Sequence, residues 1–255
     1  MLLRSVTKHV NDQNWTAVIL DFLIVVLGVF IGIQLGNWNE ARGDRAAEVN
    51  YLKGYYEDLS ATSDMFDIRL RLIDQQLAEV PRAVGHADDA DRAWEIIRAQ
   101  YVISGVTPPE IRTATYTDMV SSGRLELIRD QGLRARLVEH YSRNGALPIL
   151  ESEPPFRQMI RGIIPHELQD YLTSPACLAD FETYIACPAP DQAQDLIKIA
   201  AMLTTDVELS RALNYNIAHH KISRSIIAII VEQTRELRDG VGKTLEGKGV
   251  ETPAP

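Results

Sequence analysis

The chain has 255 residues, of which 45% are hydrophobic and 24% are charged, and its formal net charge is −9. A chain of this length can bury a core of its own, and about one to two domains are expected. The acidic balance argues against a nucleic-acid-binding protein, because such proteins present a basic face to the phosphate backbone.

The first predicted element is a membrane-spanning helix. Thr16–Leu35 is a nearly unbroken apolar run in which Asp21 is the one charged residue. At about 1.5 Å per residue the run covers the roughly 30 Å hydrocarbon core, and its apolar residues outweigh the cost of one aspartate. Trp15 and Trp38 bracket the run and are expected to lie at the two membrane interfaces. We therefore predict a transmembrane helix over residues 15–38, with the lipid bilayer as its first partner.

Two other interpretations of this apolar run are disfavoured by the sequence. A cleaved signal peptide would normally have a shorter apolar region followed by a small-x-small cleavage site, and Gly36–Glu40 contains no such site. A buried core helix that is apolar on all sides would be unusual in a soluble domain of this size.

One face of the predicted span carries small residues. Gly28, Gly32 and Gly36 recur every four residues, and Asp21 precedes Gly28 by two helical turns. Such a pattern lets two helix backbones approach closely, and an intramembrane carboxyl usually faces a protein partner. We predict a helix–helix interface here, with a second copy of the chain or with another membrane protein. The alternative is that glycines are simply frequent in membrane helices and that Asp21 reaches toward the lipid headgroups.

The rest of the chain predicts an all-α fold, a helical bundle over residues 39–240. Its first helix carries a seven-residue apolar repeat that ends at Pro81, and this helix could continue the membrane span without a break. The repeat consists of Leu52, Leu59, Phe66, Ile73 and Val80, with Tyr55, Thr62, Leu70 and Leu77 at intermediate positions.

Capping and breaking residues divide the remainder of the bundle into further helices. The segment that opens at Phe156 could be interrupted at Pro165, and the last helix is predicted to end near Arg238. Residues 1–14 form a short basic segment before the span, and residues 241–255 are predicted to be a mobile tail. Helix starts are predicted at Asp88 or Asp89, Thr107, Asp130, Phe156, Asp191 and Asp206.

The chain has two cysteines, Cys177 and Cys187, which lie ten positions apart. Such a pair suits a disulfide in an oxidising compartment. The alternative is two small buried hydrophobic residues in the cytosol. We favour the disulfide, and with it a cytoplasmic N-terminus and a main domain outside the cytoplasm.

Polar residues interrupt the apolar face of the last predicted helix. Asn216, His220 and Ser223 lie on that face, and Tyr215 is adjacent. Buried polar groups need hydrogen-bond partners or a wet pocket. The sequence therefore predicts either a small-ligand site between helices or a polar layer that fixes the register of the helices.

No catalytic motif and no metal-binding motif is found in the sequence. The two adjacent histidines, His219 and His220, point to different helix faces and lack the spacing of a helical metal site. We therefore predict that the protein is not an enzyme and that it has no cofactor and no metal site.

Four stretches around the anchor and one further along the chain form a recognisable pattern: Asp12–Trp15, Leu20–Phe22, Gly28–Gly32, Asn37–Glu40 and Ser122–Leu125. This pattern resembles the start of a family of uncharacterised bacterial membrane proteins, known as a domain of unknown function. The resemblance implies a bacterial single-pass protein, and it supplies no activity, cofactor or catalytic residue. Together with the preferred topology, it implies an inner-membrane protein with a periplasmic domain.

The sequence as a whole predicts a membrane-tethered helical module that assembles through its anchor. The alternative is an extracytoplasmic, sensor-like helical domain that binds a small ligand and acts through a separate partner.

Overall fold

The structure, a computed structural model, is helical as the sequence predicts. Among the described residues, the β structure is limited to an isolated antiparallel bridge between Leu178 and Tyr184. The described residues are 15–106, 111–144, 153–179, 184–190 and 193–253.

Eight α-helices and one 3₁₀ turn lie within these ranges. The chain divides into two compact units, of which the first ends at Tyr51 and the second begins at Leu52. The helices are α1 Trp15–Ala78, α2 Ala90–Ile103, α3 Ala114–Ser121, α4 Gln131–Asn144, α5 Pro155–Ile163, α6 His166–Leu172, α7 Ala193–Thr205 and α8 Val207–Gly247, and the 3₁₀ turn is Leu125–Leu127.

The first unit contains a helix that is long and apolar enough to cross a membrane. The large apolar side chains along this run are exposed. Phe22 near its start is 66% exposed, and Leu35 at its end is 60% exposed. A helix in the core of a soluble domain would bury these side chains, so their exposure argues against that interpretation. The predicted continuity also holds, because the span and the first bundle helix are one helical element, α1.

Several predicted features lie outside the described residues. They include the basic segment 1–14 and the predicted helix starts at Thr107 and Asp191. The backbone of α1 includes Trp15 and Asp21, but the side chains of these two residues also lie outside the described part of the chain.

The second unit is organised around the predicted seven-residue repeat of α1. Leu52, Leu59, Phe66 and Ile73 are all fully buried, which confirms these four positions as a core seam. The fifth predicted member, Val80, lies beyond the end of α1 at Ala78 and is only partly buried. The seam packs against α8, where the apolar neighbours of Phe66 and Ile73 are Ile227, Ile230 and Val231.

Three of the predicted capping residues begin helices. Asp89, Asp130 and Asp206 each accept a hydrogen bond at 2.8–3.0 Å from the backbone N–H three residues later. Each carboxylate therefore satisfies one of the backbone donors that the first turn of a helix leaves unpaired.

Helix α3 begins later than the sequence predicts. The predicted start, Thr107, lies outside the described residues; within them, residues 111–113 are not helical, and α3 begins at Ala114. The physical reason is a cap supplied by a different helix: the Asp58 carboxylate of α1 accepts a hydrogen bond from Thr115 N at 2.9 Å. A local reading of the sequence cannot include a capping group that is 57 positions away.

The helical region after Phe156 is interrupted at Pro165, as predicted. Helix α5 ends at Ile163 and α6 begins at His166. Proline fixes its own φ and restricts the residue before it to extended conformations, so Ile164 with ψ 121° ends the first helix.

The last helix is longer than the sequence predicts. We expected α8 to end near Arg238, but it continues to Gly247, so residues 241–247 are helical and do not belong to a tail. Val241 and Leu245 are fully buried, and their burial extends the apolar face of the helix by two turns. Tertiary packing thus overrides the weak helix propensity of the glycines in this stretch.

Candidate functional site

The glycine face of α1 is open. A Cβ atom built at Gly28, Gly32 or Gly36 would have no neighbouring atom within 4 Å, apart from the backbone of the helix itself. The apolar side chains between these glycines, such as Val29 and Ile33, are exposed. A second helix could therefore approach the α1 backbone closely along this face.

Trp38, predicted to lie at a membrane interface, is 59% exposed. The guanidinium carbon of Arg42 lies 5.9 Å from the centroid of its ring. A tryptophan next to a cationic side chain is the combination expected where an apolar helix leaves the hydrocarbon.

The structure brings together part of the predicted polar cluster on α8. Asn216, His220 and Ser223 are each about 1% exposed, whereas Tyr215 is 58% exposed. Tyr215 therefore does not line a common site with the other three residues.

Asn216 and His220 converge on one backbone oxygen. The carbonyl of Ile103 accepts hydrogen bonds from Asn216 Nδ2 and from His220 Nε2, each at 2.9 Å. Ile103 is the last residue of α2, so its carbonyl has no partner within its own helix. The two side chains of α8 thus cap the C-terminal end of α2, which is the role of a polar layer that fixes helix packing.

The His220 ring is held in its neutral form. Burial lowers the pKa of His220 to about 4, against the effect of its hydrogen bond to the Ile103 carbonyl, which raises it. The nearby charge of Arg69 lowers this pKa further. Since Nε2 donates to the carbonyl, the ring carries its proton on that nitrogen near neutral pH.

The two cysteines are joined by a disulfide, with their Cα atoms 5.0 Å apart. Cys177 is fully buried in the core that α2 and α7 share. The segment is also held by Trp94 Nε1, which donates to the Cys187 carbonyl at 3.0 Å, and by the Tyr171 hydroxyl, which donates to the Pro188 carbonyl at 3.1 Å. The bridge closes this segment on itself, and the two hydrogen bonds hold it against α2 and α6.

The described part of the chain contains no group of three or more His, Cys, Asp or Glu side chains that could hold a metal ion. A second buried histidine, His140 of α4, was not singled out from the sequence. Its ring lies edge-on to Tyr141, with the ring centroids 5.1 Å apart, and burial lowers its pKa to about 4. Only its position among the apolar residues Leu133 and Leu137 hinted at burial.

Comparisons of the chain with protein-family models, with curated proteins and with solved structures found no match. The resemblance of the anchor to a family of uncharacterised bacterial membrane proteins therefore stays a prediction.

Proposed function

We propose that this chain is a single-pass protein of a bacterial inner membrane and that it serves as a membrane-tethered, non-enzymatic assembly module. Its anchor associates with a second copy of the chain or with another membrane protein. The observation that carries the proposal is the open face of Gly28, Gly32 and Gly36 on an exposed apolar helix. Helices in lipid gain no hydrophobic free energy from association, so close backbone packing at small residues is a main source of their affinity.

The first prediction concerns the assembly. Replacing Gly28 and Gly32 together by leucine places two bulky side chains on the open face and prevents close backbone approach. We expect the particle to fall to a monomer, measured as the protein mass in detergent micelles by light scattering after size-exclusion chromatography.

The matched control introduces leucine on the opposite side of the same helix. Val26 and Phe30 lie roughly half a turn away from Gly28, at about 100° per residue, and both are exposed. The Val26→Leu and Phe30→Leu double variant is expected to keep the assembled mass. An unchanged mass in the glycine double variant would contradict the role proposed for this face.

We place the helical domain in the periplasm, and the Cys177–Cys187 disulfide supports this placement. Structural disulfides persist in oxidising compartments and are rare in the cytosol. Because the chain has no other cysteine, these two residues report the location of the domain without further engineering.

The second prediction tests this topology in spheroplasts. After free thiols are blocked with a permeant maleimide, we expect a membrane-impermeant reductant to make both cysteines reactive toward a polyethylene-glycol maleimide. Two mass additions on a denaturing gel are the expected result. A Ser5→Cys variant that lacks the native pair is the control; with the blocking step left out, it should react with the polyethylene-glycol maleimide only after lysis. Native cysteines that react with the permeant maleimide before reduction would contradict the periplasmic placement.

A further inference from the structure

A cavity of about 240 Å³ lies in the second unit, between the last turns of α1, the C-terminal end of α2, and α5. None of the described residues that line it carries a carboxylate, although the net charge of the protein is −9. The cavity is separate from the Asn216 and His220 cluster and from the anchor. Its polar and aromatic lining includes Gln75, Gln76, Tyr101, Arg157, Arg161 and Tyr184.

Arg161 is the central cation of this cavity. Its guanidinium carbon lies 3.4 Å from the centroid of the Tyr101 ring, and its charge acts on the Tyr184 hydroxyl, whose pKa burial raises and Arg161 lowers. Its Nε atom is buried without a hydrogen-bond partner among the described residues, and no described carboxylate pairs with its charge. A half-buried cation that lacks a counter-charge is stabilised when an anion binds beside it.

A second arginine stands one turn before Arg161 on the same side of α5. The Nε atom of Arg157 pairs with Glu153 at 3.0 Å, and its Nη1 donates to the Ser104 carbonyl at 3.2 Å. Its charge is therefore already partly balanced, so Arg157 adds to the positive potential but is not the main anion contact. The planar fork of Arg161 matches the two oxygens of a carboxylate.

Gln76 supplies a hydrogen-bond acceptor, whereas Arg161 supplies a cationic donor. Its side chain is 6% exposed, and its Nε2 donates to the Gly105 carbonyl at 2.8 Å, which fixes the orientation of the amide. Its Oε1 consequently faces away from that bond, and it has no hydrogen-bond partner in the described part of the chain. A Cβ at position 105 would lie 2.7 Å from Gln76 Nε2, so Gly105 leaves room for this hydrogen bond. Gln76 Oε1 is therefore a buried acceptor without a described partner at the wall of the cavity, and a small rotation of the side chain would present it to a bound molecule.

We infer that this cavity binds a small organic acid that carries a hydroxyl or an amino group beside its carboxylate. The carboxylate pairs with Arg161, the hydroxyl or amino group donates to Gln76 Oε1, and the carbon skeleton lies against Tyr101 and Leu72. A water molecule occupies about 30 Å³ in the liquid, so a cavity of about 240 Å³ corresponds to roughly eight waters. This volume suits a molecule of roughly six to eight non-hydrogen atoms. A ligand that satisfies both groups is favoured over one that leaves the acceptor unpaired.

Three-carbon probes of matched size test this inference on the full chain in detergent micelles. Propionate has the carboxylate alone, lactate adds a hydroxyl, alanine adds an ammonium, and inorganic phosphate is an anion without a carbon skeleton. Binding is measured by saturation-transfer nuclear magnetic resonance over a titration. We expect lactate or alanine to bind roughly tenfold more tightly than propionate, and the better of the two identifies the donor. Equal affinity for propionate and both donor-bearing probes, tighter binding of phosphate, or no saturation by any probe would overturn the inference.

Two variants assign the binding to the two groups. Arg161→Gln is expected to abolish binding of all carboxylate probes, and Gln76→Met is expected to remove the preference over propionate while leaving propionate binding unchanged. A folding defect in Gln76→Met would remove propionate binding as well, so a loss of the preference alone shows that the variant is folded. Arg143→Gln is the matched control, because that arginine is exposed and lines a different cavity. Lactate or alanine binding that survives Arg161→Gln would refute the site.

Discussion

Phe66→Ala is expected to lower the free energy of unfolding of the helical domain by about 3–5 kcal/mol, the usual cost of removing a fully buried aromatic ring. Phe66 is fully buried on the α1 seam, where it packs with Ile73 of the same helix and with Ile227, Ile230 and Val231 of α8. Truncation leaves a cavity between the two longest helices, and their backbones can close it only partly. The loss is measured by urea unfolding of the full chain in micelles, followed by near-ultraviolet circular dichroism.

The neighbouring residue provides the matched control for this prediction. Met65 is 38% exposed, so Met65→Ala changes a large side chain in the same turn of α1 without opening the core. We expect its effect to stay within about 1 kcal/mol. Equal losses in the two variants would show that the seam is not the packing interface described above.

The α1 seam could be predicted from the sequence because it depends on periodicity within one helix. Leu52, Leu59 and Phe66 are spaced by seven residues, and a helix places residues at this spacing on one face whatever it packs against. The caps at Asp89 and Asp206 could be predicted for a similar reason, since each carboxylate bonds to a backbone donor three residues away.

Features that depend on distant parts of the chain could not be predicted. The start of α3 is set by Asp58 of another helix, and the polar residues of α8 are explained by the carbonyl at the end of α2. A sequence pattern shows that Asn216 and His220 need partners, but it cannot identify a backbone oxygen more than 100 positions away as that partner.

The cavity around Arg161 was also missed from the sequence, because its lining comes from five separate segments. The one local signal was the pair Arg157 and Arg161, which are spaced by four residues on a short helix whose adjacent face is buried through Phe156 and Ile160. That pattern is equally typical of a solvated surface, so only the structure separates the two interpretations.

The domain is expected to lose stability as the pH falls from about 6.5 toward 4, and the buried histidines supply much of that loss. Burial lowers the pKa of His220 and of His140 from the ordinary 6.5 to about 4. Between these two pH values the unfolded chain binds a proton at each position that the folded chain does not bind, so stability rises with pH across the window and is lost as the pH falls. Each histidine contributes up to about 3 kcal/mol by this linkage.

His220→Gln isolates one of these contributions, because a glutamine amide can still donate to the Ile103 carbonyl but does not titrate. We expect the wild type to lose about 3 kcal/mol more than this variant between pH 6.5 and 4, measured by urea unfolding at several pH values. Carboxylates titrate in both proteins, so their contribution cancels in the difference. His166→Gln is the matched control, since its side chain is 82% exposed, and its profile should follow that of the wild type. If His220→Gln instead follows the wild-type profile, then His220 is not held neutral by burial, and the cap on α2 tolerates a charged ring.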